Sequence, residues 1–282
     1  MQIRDLETAL GLPVFERNGR AIVLTTTGEY LLVYARRMLS TLKEAEDTIL
    51  RLRGVQAGRI TIGMVGTAQY FLPRLLAQFR VEYPGVEVRL SVGNRDQLGS
   101  QLRDRAIDMA IMGRPPRELD TRAEAFALNP LGVIASAEHS LAAERGIMPA
   151  RLDREVFIVR ESGSGTRAAM EAFFKEQRIA PPEIMEMTSN ETIKQAVIAN
   201  LGLTLLSMHT LGLELSAGQL AVLDVVGLPL KRAWHVVNLG AVTLSPAAEA
   251  FRYFVLERGE ALLNALFPPT GTIAGRKANL KA

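Results

Sequence analysis

The sequence predicts an α/β protein with three parts: a short helix and hairpin, one long helix, and a two-lobed α/β body. Three observations carry this. Residues 28–53 hold a proline-free apolar repeat at helical spacing. From Arg59 onward, strand and helix patterns alternate. A second set of alternating elements follows Leu131, so segments must pass between two α/β units.

Residues 1–10 place Ile3, Leu6 and Leu10 at helical spacing, and Gly11 is a natural stop. Val14-Phe15, a polar stretch around Asn18-Gly19, and residues 21–24 then read as a hairpin, for which Asn-Gly is a strong signal. Thr25, Thr26 and Thr27 offer helix-capping hydroxyls. In the long helix Leu31, Tyr34, Ala35, Met38, Leu42, Ala45, Ile49 and Leu52 alternate mainly by three and four, the pattern of a partner-facing stripe. Such a helix would run for roughly 39 Å. A remnant of some 25 residues cannot cover it, so a dimer seam through Leu31, Met38, Leu42 and Ile49 accounts for the stripe better than core packing. Residues 54–58 read as a hinge.

Strands are predicted at 60–65, 86–92 and 107–112, with helices at 71–83 and 96–105 between them. Three strands with two crossovers imply a parallel sheet. The second unit has strands at 131–135, 156–159, 184–188 and 203–206 and helices at 166–177 and 192–200. Residues 236–239 lead back to a last helix at 246–263. The expected division is lobe I at 59–131 and 240–268 and lobe II at 132–239, hinged about a cleft. Residues 269–282, rich in Gly, Pro and Lys, read as a disordered basic tail.

Composition narrows the function classes. With 48% hydrophobic and 22% charged residues the chain falls among ordinary soluble globular proteins. No apolar run approaches the roughly 18 residues of a membrane span, and the N-terminus lacks the apolar region of a secretory signal. The absence of cysteine excludes disulfides, thiolate metal sites and cysteine nucleophiles. A cytoplasmic protein is expected. The net charge is +3, all of it matched by Arg276, Lys277 and Lys281 in the tail, so bulk charge argues for no nucleic-acid partner.

Several segments together resemble the LysR-type transcriptional regulators. Met1-Gln-Ile-Arg-Asp-Leu-Glu through Gly11-Leu-Pro-Val-Phe-Glu-Arg is similar to the end of that family's recognition helix and the start of its wing, and Leu24-Thr-Thr-Thr-Gly-Glu to the start of its linker helix. Ile62-Gly-Met-Val-Gly-Thr, Phe71-Leu-Pro-Arg-Leu-Leu, Tyr83-Pro-Gly-Val, Ile107-Asp-Met-Ala-Ile, Gly202-Leu-Thr-Leu-Leu-Ser and Leu244-Ser-Pro-Ala-Ala resemble its effector domain. A narrower likeness is to the Calvin-cycle (RuBisCO operon) regulators. It rests on Gln69-Tyr-Phe-Leu-Pro, Ser91-Val-Gly-Asn-Arg, Ile111-Met-Gly-Arg-Pro-Pro, Ser162-Gly-Ser-Gly-Thr-Arg, Ser189-Asn-Glu-Thr-Ile-Lys-Gln-Ala-Val and His209-Thr-Leu.

The resemblance implies a winged helix-turn-helix (1–25), a dimerising linker helix (26–53) and an effector domain of periplasmic-binding-protein type (59–268). Family members carry two further helices ahead of the point matching Met1, so the expected head is truncated and its DNA binding impaired. DNA contacts would come from Gln2 and Arg4 on the recognition helix and Arg17 and Arg20 on the wing, since arginine suits phosphate and glutamine suits adenine edges. Arginines on a hairpin are otherwise plain surface residues.

Ser162-Gly-Ser-Gly-Thr-Arg opens a helix and has the makings of an anion cradle. Its glycines free backbone N–H groups, Ser164 and Thr166 add hydroxyls, and the helix end adds about half a positive charge. It lacks the Gly-Lys-Ser/Thr ending of a Walker loop, and an ordinary helix cap would read the same way. By resemblance the effector residues are Thr67, Asn94, Arg114, Ser164, Gly165, Thr166, Arg167 and Asn190, with Glu191 the one acid nearby. Two arginines then suit an anion: a phosphorylated metabolite or a nucleotide such as NADPH, ahead of a carboxylate. No cofactor, metal or membrane is expected, and the partners are operator DNA and further copies, as a homodimer or homotetramer. His139, His209 and His235 show no ligand spacing and read as surface or capping residues, and Trp234 as packing. A free solute-binding protein and an enzyme are the rival classes. Neither an export signal nor a catalytic constellation supports them.

Overall fold

In the computed structural model, which describes residues 2–19, 21–51, 57–181 and 184–268, the chain divides into two compact units, Met1–Gly54 and Val55–Ala282. Arg20, Leu52, most of the 54–58 hinge and the tail from residue 269 lie outside the described residues, as do the side chains of Gln2 and Ile49.

The first unit holds α1 (Gln2–Leu10), a hairpin of β1 (Phe15–Asn18) and β2 (Ala21–Leu24), and α2 (Thr26–Arg51). Gly19 takes a φ of +65° at the hairpin turn, a conformation in which glycine suffers no Cβ clash. Thr25 ties the pieces together. Its Oγ1 accepts from the Gly28 amide at 3.1 Å, capping α2, and donates to the Pro13 carbonyl at 2.7 Å. Glu7 reaches back from α1 to accept from the Val14 amide at 2.8 Å. Gly28 is obligatory by space: a Cβ there would meet the Val14 carbonyl oxygen. Arg4 and Arg17 are exposed. On α2, Met38 is 64% and Leu42 58% exposed while Leu31 is half-buried, so this unit does not bury the described part of its apolar stripe, from Leu31 to Leu42.

In the second unit β3 (Gly58–Val65) pairs in parallel with β4 (Val86–Gly93) and β5 (Met109–Met112). The connections are a 3-10 turn (Gly66–Tyr70) with α3 (Leu72–Glu82), and α4 (Arg95–Arg103). This is the parallel crossover unit that the strand–helix rhythm predicts. The core of this lobe is aromatic: Phe79 meets Phe251 edge-on at 5.1 Å, and Phe71 meets Trp234 at 4.9 Å.

The sequence reading starts the next strand at Leu131, but β6 runs from Thr121 to Ser136. Its partner β11 (Leu230–Leu239) is likewise longer than the four residues expected and lies antiparallel to it, with Leu230 opposite Leu131 and Leu239 opposite Thr121. Asn129-Pro130 breaks the apolar pattern midway, yet Pro130 stays within the strand opposite Lys231. One half of this ribbon joins β5, where His235 faces Met112; the other half of β6 joins β9 (Thr204–Ser207) and β10 (Leu220–Val222). The two strands therefore pass between the lobes. β7 (Phe157–Arg160) pairs in parallel with β8 (Ile184–Met187) and reaches β9 through the Ile158 amide, which donates to the Leu203 carbonyl at 2.7 Å. Helices α5 (Gly165–Gln177), α6 (Asn190–Ile198) and the short α7 (Gly212–Ser216) belong to this lobe. The last helix, α8 (Pro246–Leu266), packs back on the first lobe. No helix among the described residues is long and apolar enough to cross a membrane.

Candidate functional site

The C-terminal ends of the parallel strands from both lobes point at one cleft, as open α/β sheets dictate. Gly66 and Thr67 follow β3, Asn94 follows β4, Gly113 and Arg114 follow β5, and Ser164, Gly165 and Thr166 follow β7; all line a single cavity. Its non-atom volume is about 570 Å³ with the open mouth included. The crossing strands supply a floor of Asn129, Leu131 and Arg232.

Short-range chemistry fixes the lining. Asn94 caps α4 reciprocally: its Oδ1 accepts from the Gln97 amide at 3.0 Å, and its own amide donates to Gln97 Oε1 at 2.9 Å. Ser164 caps α5, accepting from the Thr166 amide at 3.3 Å, which leaves the helix N-terminus facing the cavity. Asn129 is held by Ser207, whose hydroxyl donates to Asn129 Oδ1 at 2.6 Å.

Six of the eight expected effector residues line the cavity: Thr67, Asn94, Arg114, Ser164, Gly165 and Thr166. The other two do not. Arg167 lies one residue beyond Thr166, and the helical turn of about 100° per residue swings it toward β8. There it donates to Glu171 at 2.8 Å, to the Arg160 carbonyl at 3.2 Å and to Glu186, and these carboxylates hold its pKa above the usual arginine value. Asn190 stands behind the lining, buried, with Oδ1 accepting from Arg160 at 2.6 Å. Glu191 is not among the lining residues; it accepts from Tyr70 and pairs with Lys194 at 2.9 Å.

The sequence reading misses Arg95, Arg160, Asn129 and Arg232, all of which line the cavity. Arg160 is 8% exposed and clamped by Glu161 at 2.8 and 3.0 Å; Arg95 pairs with Asp96 at 3.0 Å. Arg114 has no ion pair among the described residues. Burial, then the like charges of Arg117, Arg232 and Arg95, press its pKa below the ordinary arginine value. An arginine in this environment is short of negative charge.

Three contacts link the lobes around the cleft. Gly163, at φ +82°, lies so close to the start of α4 that a Cβ would come within 2.9 Å of Asp96 Oδ2. Tyr70 donates its hydroxyl to Glu191, and Lys194 sits 4.8 Å from the Tyr70 ring centre. Burial, then the bond to Glu191, pushes the Tyr70 pKa up to about 12, so the phenol stays a donor. Trp234 donates from Nε1 to His209 Nδ1 at 3.0 Å, and His209 stacks on Phe267. Trp234 is fully buried, as the packing reading expects. His139 caps a 3-10 turn, accepting from the Leu141 amide at 3.2 Å. His209 is neither surface nor cap: it is 7% exposed in the inter-lobe contact, where its strand-end position gave no periodic signal.

Residues 53–260 match the family described as "LysR substrate binding domain". The HTH-type transcriptional regulator CfxR of Cupriavidus necator is 43% identical over 98% of this chain and 87% of its own length. A RuBisCO operon transcriptional regulator of Allochromatium vinosum is 46% identical over 91% and 85%. Among solved structures, the CcmR regulatory domain of Synechocystis in complex with 2-PG is 39% identical, with a TM-score of 0.69, over 71% of this chain and 96% of that one. An OxyR mutant of Corynebacterium glutamicum, 24% identical with a TM-score of 0.70 over 95% of this chain and 85% of that one, shares the fold. Family match, curated relatives and two-lobed cleft agree: the chain belongs to the LysR-type transcriptional regulators and is a regulator rather than an enzyme.

Proposed function

We propose that this regulator acts on carbon-fixation genes and that its cleft binds a small anionic metabolite, with a phosphorylated compound preferred over a plain carboxylate. The observation that carries the reading is Arg114, a guanidinium without a counter-ion among the described residues, sharing one cavity with the α5 N-terminus and the hydroxyls of Thr67, Ser164 and Thr166. The CcmR complex with 2-PG supports the ligand class, and the RuBisCO operon relative supports the target genes. Binding would shift the population of lobe arrangements, and the linker helix would pass that shift to the DNA-reading head. Gln2, Arg4, Arg17 and Arg20 are the proposed DNA contacts.

Calorimetry with sugar phosphates, nucleotides and carboxylates tests the cleft. Arg114→Ala with Thr166→Val should weaken the best ligand by about tenfold or more, the loss of at least one charge-assisted bond. A tightest ligand that is uncharged, or one that binds the double variant equally well, overturns the reading.

The exposed stripe of α2 supports assembly through that helix, as a dimer at least. Leu42→Glu with Met38→Glu would place charges in the seam, where their burial costs several kcal/mol. Sedimentation should show a smaller species than wild type. A wild type already monomeric at micromolar concentration rules the seam out.

A further inference from the structure

The arginines around the cleft differ in what neutralises them. Arg167 is answered by Glu171 and Glu186, Arg160 by Glu161, and Arg95 by Asp96. The guanidiniums of Arg114 and Arg232 have no hydrogen bond or ion pair among the described residues, and both residues line the cavity. They come from different places: Arg114 follows β5 in the first lobe, while Arg232 lies on β11, a strand that passes between the lobes.

We infer that Arg232 is a specificity-determining residue of the effector cleft, the second of two guanidiniums that together select a doubly charged group over a singly charged one. The inference rests on the reading of the cleft as an anion site. Two like charges on one cavity repel, and Arg114 already feels Arg232 as a like charge that adds to the effect of its burial. A monoanion neutralises one and leaves the other. A phosphoryl dianion neutralises both, so the relief of repulsion adds to its binding and not to that of a carboxylate.

The position of Arg232 is set by the strands that pass between the lobes. Its cross-strand neighbour is Asn129, which also lines the cavity and is fixed to lobe II by Ser207. The antiparallel pairing of β6 with β11 thus sets Arg232 beside Asn129 on the strands that pass between the lobes. Sequence position alone gives no hint of this, because Lys231-Arg232 reads like any charged pair on a strand.

The test uses the full chain, with 2-phosphoglycolate, glycolate and inorganic phosphate as calorimetric probes. Arg232→Met should weaken 2-phosphoglycolate by about tenfold or more, the worth of one charge-assisted bond, and glycolate by less than about threefold. Arg232→Lys, which restores charge without the fork, should fall between. A phosphate ester takes its second charge near pH 6, so wild-type affinity should rise roughly fourfold between pH 5.5 and 7.5. In Arg232→Met that rise should flatten. The half-buried side chain makes no structural bond among the described residues, so the variant should melt with the wild type. If wild type binds 2-phosphoglycolate and Arg232→Met binds it as well, with the same pH slope, the role of Arg232 is refuted and the anion cleft stands. If wild type binds neither phosphate probe, both readings fall.

Discussion

Lys194→Met is expected to destabilise the two-lobed unit by about 3–5 kcal/mol, the cost of breaking a buried ion pair from one side. Lys194 is 2% exposed, and its ammonium donates to Glu214 at 2.7 Å, to Glu191 at 2.9 Å and to the Thr210 carbonyl at 3.2 Å. Glu214 has no other side-chain donor, and its second oxygen is buried without a partner among the described residues. Removing Lys194 therefore strands a carboxylate in the interior. Removing Glu214 is different, since Lys194 keeps Glu191 and Thr210. Glu214→Leu should cost less than Lys194→Met, and the double change to Met and Leu should recover much of the loss, because a packed apolar pair needs no counter-charge. Urea denaturation of the three variants reads this order directly. A Lys194→Met cost below about 1 kcal/mol would show that the pair is replaced by water.

The second large effect is on pH. Burial pushes the His209 pKa down to about 4 from its ordinary 6.5, and the hydrogen bond from Trp234 requires a free lone pair on Nδ1. Protonation would put a hydrogen where Trp234 already donates. The folded value lies below the unfolded one, so as pH falls the unfolded chain takes up the proton first. The contribution is full above about pH 6.5, declines between about 6.5 and 4, and levels off below that. Two and a half units correspond to about 3 kcal/mol. The chain's single tryptophan touches His209, so its emission should report the change. His209→Gln, whose amide oxygen can still accept from Trp234, should lose markedly less stability over this range. His235, also lowered by burial, accounts for part of the remaining slope. Equal acid sensitivity in wild type and variant would dismiss this role for His209.

Much of the architecture was legible because it rests on local rules. Helical spacing located α2 and α3, Asn18-Gly19 located the hairpin, and alternation of strand and helix located the parallel sheet. Six cleft residues were legible through the resemblance, because their motifs are short and contiguous; five sit at strand-to-helix turns and Arg114 in the loop between β5 and β6. Local rules failed where the chain serves two lobes at once. The ten residues of β6 before Leu131 show no clean alternation, since they face different neighbours along their length, and Pro130 imitates a break.

By itself the sequence determined the family, the order of elements and the helix N-terminus offered to a ligand, because each depends on residues close together in the chain. Only the tertiary structure decided which arginines carry free charge into the cleft. In sequence, Arg167 stands out at the end of a cradle-like motif and Arg232 does not. Glu171 lies a turn along the helix from Arg167, and Glu186 is brought to it by the pairing of β7 with β8. Arg232 meets no carboxylate among the described residues and reaches Arg114 only because β11 pairs with β5 and β6 together. Charge compensation depends on distance through space, which strand pairing across the hinge sets and sequence spacing does not.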